Sequence, residues 1–144
     1  MAAEDIQRLN TMGVRVRLVK GACQEPKAVA YPQKSEVDGA FVELMQTLLD
    51  EGTYPAFATH DPRMIDATTA YATRQGYVSD RFEFQMLYGI RRDLQMPLVK
   101  DGYRVRVYVP FGRQWYPYFM RRLCERPANV IFVLKGIFSD TSRG

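Results

Sequence analysis

Val14-Arg15-Val16-Arg17-Leu18-Val19 alternates apolar and basic side chains and stops at Lys20-Gly21, the pattern of a strand ended by a turn. Outward from it the same unit recurs. Residues 38–49 carry Phe41, Leu44, Met45 and Leu48 at helical spacing, and residues 54–59 form a second strand that ends at His60-Asp61-Pro62. A helix over 63–74, a strand over 81–86 and a short helix over 90–99 follow. The fourth strand, 104–109, is closed by Pro110-Phe111-Gly112, and 115–125 is the last clear helix. The first dozen residues read as the tail of another helix.

Strands alternating with helices through short turns predict an α/β domain with a parallel sheet. Parallel strands covered on both faces should be almost wholly apolar. These are not: Arg15 with Arg17, Glu83 with Gln85, and Arg104 with Arg106 and Tyr108 each share a face. A barrel whose interior accepts polar side chains explains a polar face on every strand. Chemistry in such barrels gathers at the C-terminal strand ends, here Arg17 and Lys20, Thr59 and His60, Gln85 and Leu87, and Tyr108. The polarity of loops alone would give much the same set. A complete barrel has eight units in about 250 residues, so four units predict half of something larger, or a half that pairs with itself through its open edges.

The totals bound the function. The chain has 144 residues with 47% hydrophobic and 25% charged, the balance of an ordinary globular domain. No apolar run approaches the roughly 20 residues of a membrane span, and the start is not a signal peptide. Cys23 and Cys124 lack metal-ligand spacing and read as reduced thiols, and with His60 as the single histidine a cysteine/histidine zinc site is nearly excluded. A net charge of +4 suits an anionic cofactor or a plain solvated surface. No nucleic-acid motif or basic tail accompanies it, so nucleic acid is not an expected partner.

Five stretches resemble one family in order. Arg17-Leu18-Val19-Lys20-Gly21-Ala22 resembles the RLVKGA motif of the proline dehydrogenases, and Ala58-Thr59-His60 their ATH strand end. Phe82-Glu83-Phe84-Gln85-Met86-Leu87-Tyr88-Gly89 is similar to FEFQ-x-L-x-G, and Arg106-Val107-Tyr108-Val109-Pro110-Phe111-Gly112 to RVYVPFG. The stretch from Tyr118 through Arg121-Arg122 and Glu125 to Asn129 resembles the YxxRRLxExxAN helix, in wording nearest the stand-alone bacterial enzymes. The resemblance implies a distorted (β/α)8 barrel that binds FAD non-covalently, oxidises L-proline to 1-pyrroline-5-carboxylate and passes electrons to a membrane quinone. Residues 1–144 would then be the C-terminal half of that barrel, strands five to eight and the final helix. The location implied is cytoplasmic and peripheral at the inner membrane, or the matrix side in a eukaryote.

The resemblance also implies roles. Arg17 would contact flavin N5, as the catalytic cation, where a guanidinium opposes the negative charge that arrives with hydride; as a bare strand residue it would simply pair with Glu83. Lys20, Gly21 and Ala22 would run along the cofactor, the lysine as a point charge for phosphate. Thr59 and His60 would hydrogen-bond the flavin, His60 not as a general base. Arg121 and Arg122, with Tyr118 and Glu125 on the same helix face, would take the proline carboxylate, with Glu125 steadying them; spacing alone reads this as a solvated surface helix. Tyr108, Tyr118 and Leu87 would shape the pocket around the pyrrolidine ring.

Two residues depart from the family pattern. Cys23 stands where tyrosine is usual, removing an aromatic wall, and Asp61 stands where asparagine is commoner, adding a charge after the ATH strand end. The family's substrate-side lysine and catalytic aspartate belong to the earlier strands. The expectation is therefore an FAD enzyme completed by an N-terminal half, with this chain alone inactive or nearly so. The competing reading is a non-catalytic half-barrel that binds flavin or a partner without turnover.

Overall fold

The structure, a computed structural model, describes residues 2–20 and 33–113, together with Pro117. Helix α1 (Ala2–Thr11) leads into β1 (Arg17–Val19), and α2 (Lys34–Glu51) into β2 (Ala56–Ala58). Helix α3 (Pro62–Gln75) precedes β3 (Glu83–Leu87), and α4 (Arg92–Lys100) precedes β4 (Arg104–Tyr108). The strands form one parallel sheet in the order β1-β2-β3-β4. The expected α/β fold is therefore present. The helix expected over 115–125, which holds Tyr118, Arg121 and Arg122, lies outside the described residues, as do Gly21 and Ala22.

The first strand is shorter than its alternation suggests. Gly13, at φ +66°, ends α1, and the Val14 N–H donates to the Leu9 carbonyl at 3.3 Å. That is a left-handed glycine cap with its six-to-one bond, so Val14 serves the helix end and not the sheet.

Register assigns the two faces. Arg17, Ala56, Glu83 and Arg104 form one row, and Val19, Ala58, Gln85 and Arg106 the next on the same face. Leu18, Phe57, Phe84 and Val105 form the opposite, apolar row, which the helices cover. Phe57, Phe82 and Phe84 are fully buried and meet edge-on or tilted, with Tyr103 closing the group. Phe41, Met45, Leu48 and Leu49 of α2 and Met64, Ile65 and Ala72 of α3 complete the core. The polar face has no such cover among the described residues. Val107, Tyr108 and Val109 on the β4 side are 37%, 52% and 57% exposed, whereas Phe84 and Met86 of β3 are buried.

Candidate active site

The polar face divides into a filled lower part and an open upper part. At the N-terminal ends of the strands, Tyr54 lies beneath the guanidinium groups of Arg15 and Arg104, 4.8 and 5.7 Å from its ring centre. Its hydroxyl lies 3.3 Å from Glu83, to which it donates. Glu83 is buried and accepts from Arg106 Nε and Nη2 at 2.6 and 2.8 Å and from Gln85 Nε2 at 2.6 Å. Arg106 is the main cause that holds the Glu83 carboxyl down at about 2, with Gln85 and Tyr54 adding to it against the opposing effect of burial.

This settles where the strand acid goes. The pairing that residue types alone would favour, Arg17 with Glu83, does not form: Glu83 is taken by Arg106, its diagonal neighbour on β4. Arg17 is exposed and makes no ion pair with any described acid. Beside it on β2 the same face carries only Ala56 and Ala58. An exposed guanidinium without a described acid partner therefore stands beside Ala56, which is buried, and Ala58, which is half-buried. A fixed cation at this position suits a group that gains negative charge.

The strand ends are tied together. His60 Nε2 accepts from the Leu87 N–H at 2.9 Å, so this ring nitrogen carries no proton and the imidazole links the end of β2 to the end of β3. Thr59 is buried, and its hydroxyl accepts from the Asp61 N–H at 3.1 Å. Asp61 is the N-cap of α3, accepting from the Arg63 N–H at 3.1 Å, with Pro62 in the first turn. Leu87 is half-buried and Tyr108 exposed, both on the polar face at the upper rim.

Lys20 sits apart from this face. Its side chain is 2% exposed and forms ion pairs with Asp38 of α2 and with Asp61, the latter at 2.5 Å. Lys34 reaches Asp38 at 3.0 Å, and Arg63 reaches Asp38 and Asp61 at 2.8 and 2.9 Å. Burial pushes both carboxyls up, but the opposing cations win and hold them below the ordinary range: Lys20 and Lys34 for Asp38, Arg63 and Lys20 for Asp61. Among the residues expected to form the site, the structure brings His60, Leu87 and Tyr108 to the upper strand ends, places Arg17 lower on the same face in the row of Glu83 and Arg104, and buries Thr59 and Lys20.

Residue reading had passed over Asp38, Tyr54 and the Glu83–Arg106 pair. The four-residue spacing of Lys34 and Asp38 at the start of a helix was the available signal for the first. The others depend on register, which one strand's sequence does not contain.

The chain is similar to known proteins along most of its length. The family model for proline dehydrogenase matches residues 2–135. Proline dehydrogenase 2 of Bacillus subtilis is 50% identical over 134 residues, 93% of this chain and 44% of that protein. Proline dehydrogenase of Deinococcus radiodurans is 50% identical over 133 residues, 92% of this chain and 43% of its own. The crystal structure of proline utilization A from Bdellovibrio bacteriovorus, inactivated by N-propargylglycine, superposes with a TM-score of 0.75 at 31% identity, covering 83% of this chain and 15% of that one. The chain thus spans less than half the length of the curated relatives it matches, and it belongs to the proline dehydrogenase family.

Proposed function

We propose that this chain is the C-terminal half of a proline dehydrogenase barrel, carrying the flavin shelf and the closing wall of the substrate pocket. The observation that carries this reading is Arg17: an exposed strand arginine without a described acid partner, beside Ala56 and Ala58 on the polar face of the sheet. FAD bound there would supply the hydride acceptor for oxidation of L-proline to 1-pyrroline-5-carboxylate, with a membrane quinone as the final electron acceptor. Arg17 would hold a fixed positive charge where negative charge accumulates. The main chain of Lys20, Gly21 and Ala22 would follow the cofactor, and Thr59 and His60 would keep the neighbouring strand end in place. Leu87 and Tyr108 would bound the ring of the substrate, with Tyr118, and Arg121 and Arg122 would receive its carboxylate. The enzyme would work at the inner face of the membrane as a peripheral protein; among the described residues no helix is long and apolar enough to cross it.

The open sheet favours a chain that does not turn over alone. The test is the visible absorption spectrum of the purified chain after incubation with FAD and gel filtration, repeated after adding L-proline. Retained flavin bands that do not bleach are expected from the chain alone, with bleaching once an N-terminal half is supplied. Loss of all flavin would defeat the shelf assignment for the isolated chain; bleaching by the chain alone would defeat the requirement for a second half.

A further inference from the structure

The side chain of Lys20 raises a question that the family pattern does not answer. Alternation along β1 puts Lys20 on the parity of Leu18, the helix-covered side, opposite Arg17. The burial agrees: the whole residue is 7% exposed, and its ammonium lies among Asp38, Asp61 and the outer cations Lys34 and Arg63. A charge so placed is already neutralised by two carboxylates and shielded from the polar face.

We propose that Lys20 is a positioning residue: its ammonium does not bind the cofactor phosphate but locks the β2 strand end from behind, fixing the Thr59-His60 pair. This rests on the flavin reading above. The geometry is a two-point hold. The Lys20 N–H donates to the Ala58 carbonyl at 3.2 Å, extending the ladder, while its Nζ pairs with Asp61 three residues further on. Thr59 and His60 lie between those two points. Asp38 anchors the same ammonium to α2, so the lock joins β1, α2 and the β2–α3 turn. From the locked segment His60 reaches the Leu87 N–H on β3. Displacement of Lys20 therefore propagates through main chain to the rim without any contact between ammonium and ligand. The second carboxylate of the lock comes from Asp61, the residue at which this chain departs from the commoner asparagine.

The test compares FAD with riboflavin, which has the same ring system and no phosphate. Both are titrated by fluorescence into the wild-type chain and Lys20→Met, at a temperature where each is folded. Positioning predicts that both flavins weaken by the same factor, to within about twofold. A phosphate contact predicts that FAD loses about tenfold or more while riboflavin does not, and that result would overturn the proposal. Unchanged binding of both would also overturn it, since the lock would then be structural only. Because Lys20→Met leaves the half-buried Asp38 and Asp61 side by side with only Lys34 and Arg63 to pair them, the neutral variant Lys20→Met/Asp38→Asn/Asp61→Asn is measured beside it; asparagine keeps the α3 cap. A readout independent of flavin is the Leu87 amide proton resonance, which reports the His60 contact. It should move in either variant of the ligand-free chain, and an unmoved resonance sinks the lock. Should the wild-type chain bind neither flavin, the flavin assignment fails for the isolated chain and the Leu87 resonance still decides the lock.

Discussion

Glu83 shows how a single residue sets the polarity of the site. Its carboxyl is 6% exposed and surrounded by Arg106, Gln85 and the Tyr54 hydroxyl, and its folded pKa lies at about 2 against an ordinary 4.5. A depressed acid contributes stability above its unfolded pKa, and that contribution is lost as pH falls toward the folded value. Arg106 is 64% exposed, so solvent screens the pair. After that discount the expected loss for Glu83→Gln is about 1–2 kcal/mol at pH 7. Urea melts of the two proteins at pH 7 should differ by that amount, and the difference should shrink between about pH 4.5 and pH 2. A constant difference across that window would place the effect in packing and not in charge. With Glu83 committed to Arg106, Arg17 has no acid partner among the described residues. Arg17→Met is accordingly expected to weaken flavin binding at least tenfold, on the scale of a lost charge-assisted contact, and to leave the melting temperature within a few degrees; equilibrium titration and a thermal scan read the two.

Helix α3 carries the site's cap and its own stop, and both were visible in the sequence. Asp61-Pro62 is a start signal and Gly76 an end signal, and the helix runs between them. Gly76 has φ +72° and ψ 21°, its N–H bonded to Ala72 and Thr73 carbonyls. A Cβ there would meet nothing within 4 Å, so Gly76→Ala bears a purely conformational cost of about 1 kcal/mol. The melting temperature should drop by about 4 °C, and Gly76→Asn, which tolerates the left-handed region better, should drop by less. Equal drops would mean that the cost is not backbone strain. Strand bounds were less legible than helix ends. Residues 14–16 alternate like the rest of β1, but the end of α1 claims the Val14 N–H. Which acid meets which arginine was not legible either, because the Glu83–Arg106 diagonal comes from the register of β3 on β4. Motif wording marked Arg17, Thr59, His60, Leu87 and Tyr108 as one site, and the fold puts His60, Leu87 and Tyr108 at the upper strand ends with Arg17 lower on the same face and Thr59 buried; the same wording gave Lys20 to the phosphate, whereas strand parity turns its side chain toward the helices.

At the scale of the molecule the sheet is half of a closed figure. Both edge strands, β1 and β4, lack a second neighbour among the described residues, and Phe111 beyond β4 is 98% exposed. A barrel of two copies related by a twofold axis would join β4 of each to β1 of the other. That arrangement sets Arg104 and Arg106 of one copy near Arg15 and Arg17 of the other, on a face whose one acid among the described strands, Glu83, is already paired. Like charges brought together disfavour association, while the apolar edge residues Val107, Val109 and Phe111 favour it. Salt separates the two contributions, since the screening length falls to about 3 Å at 1 M and is about 30 Å at 0.01 M. Light scattering at micromolar concentration should therefore show self-association that is weak in dilute buffer and strengthens as salt rises. A complementary half able to close the barrel is expected to show the reverse, because it must bring acids to this basic face, and its assembly with the chain should weaken with salt. Self-association that weakened with salt would mean that the arginine rows do not face one another, and the edge-to-edge barrel of two copies would have to be abandoned.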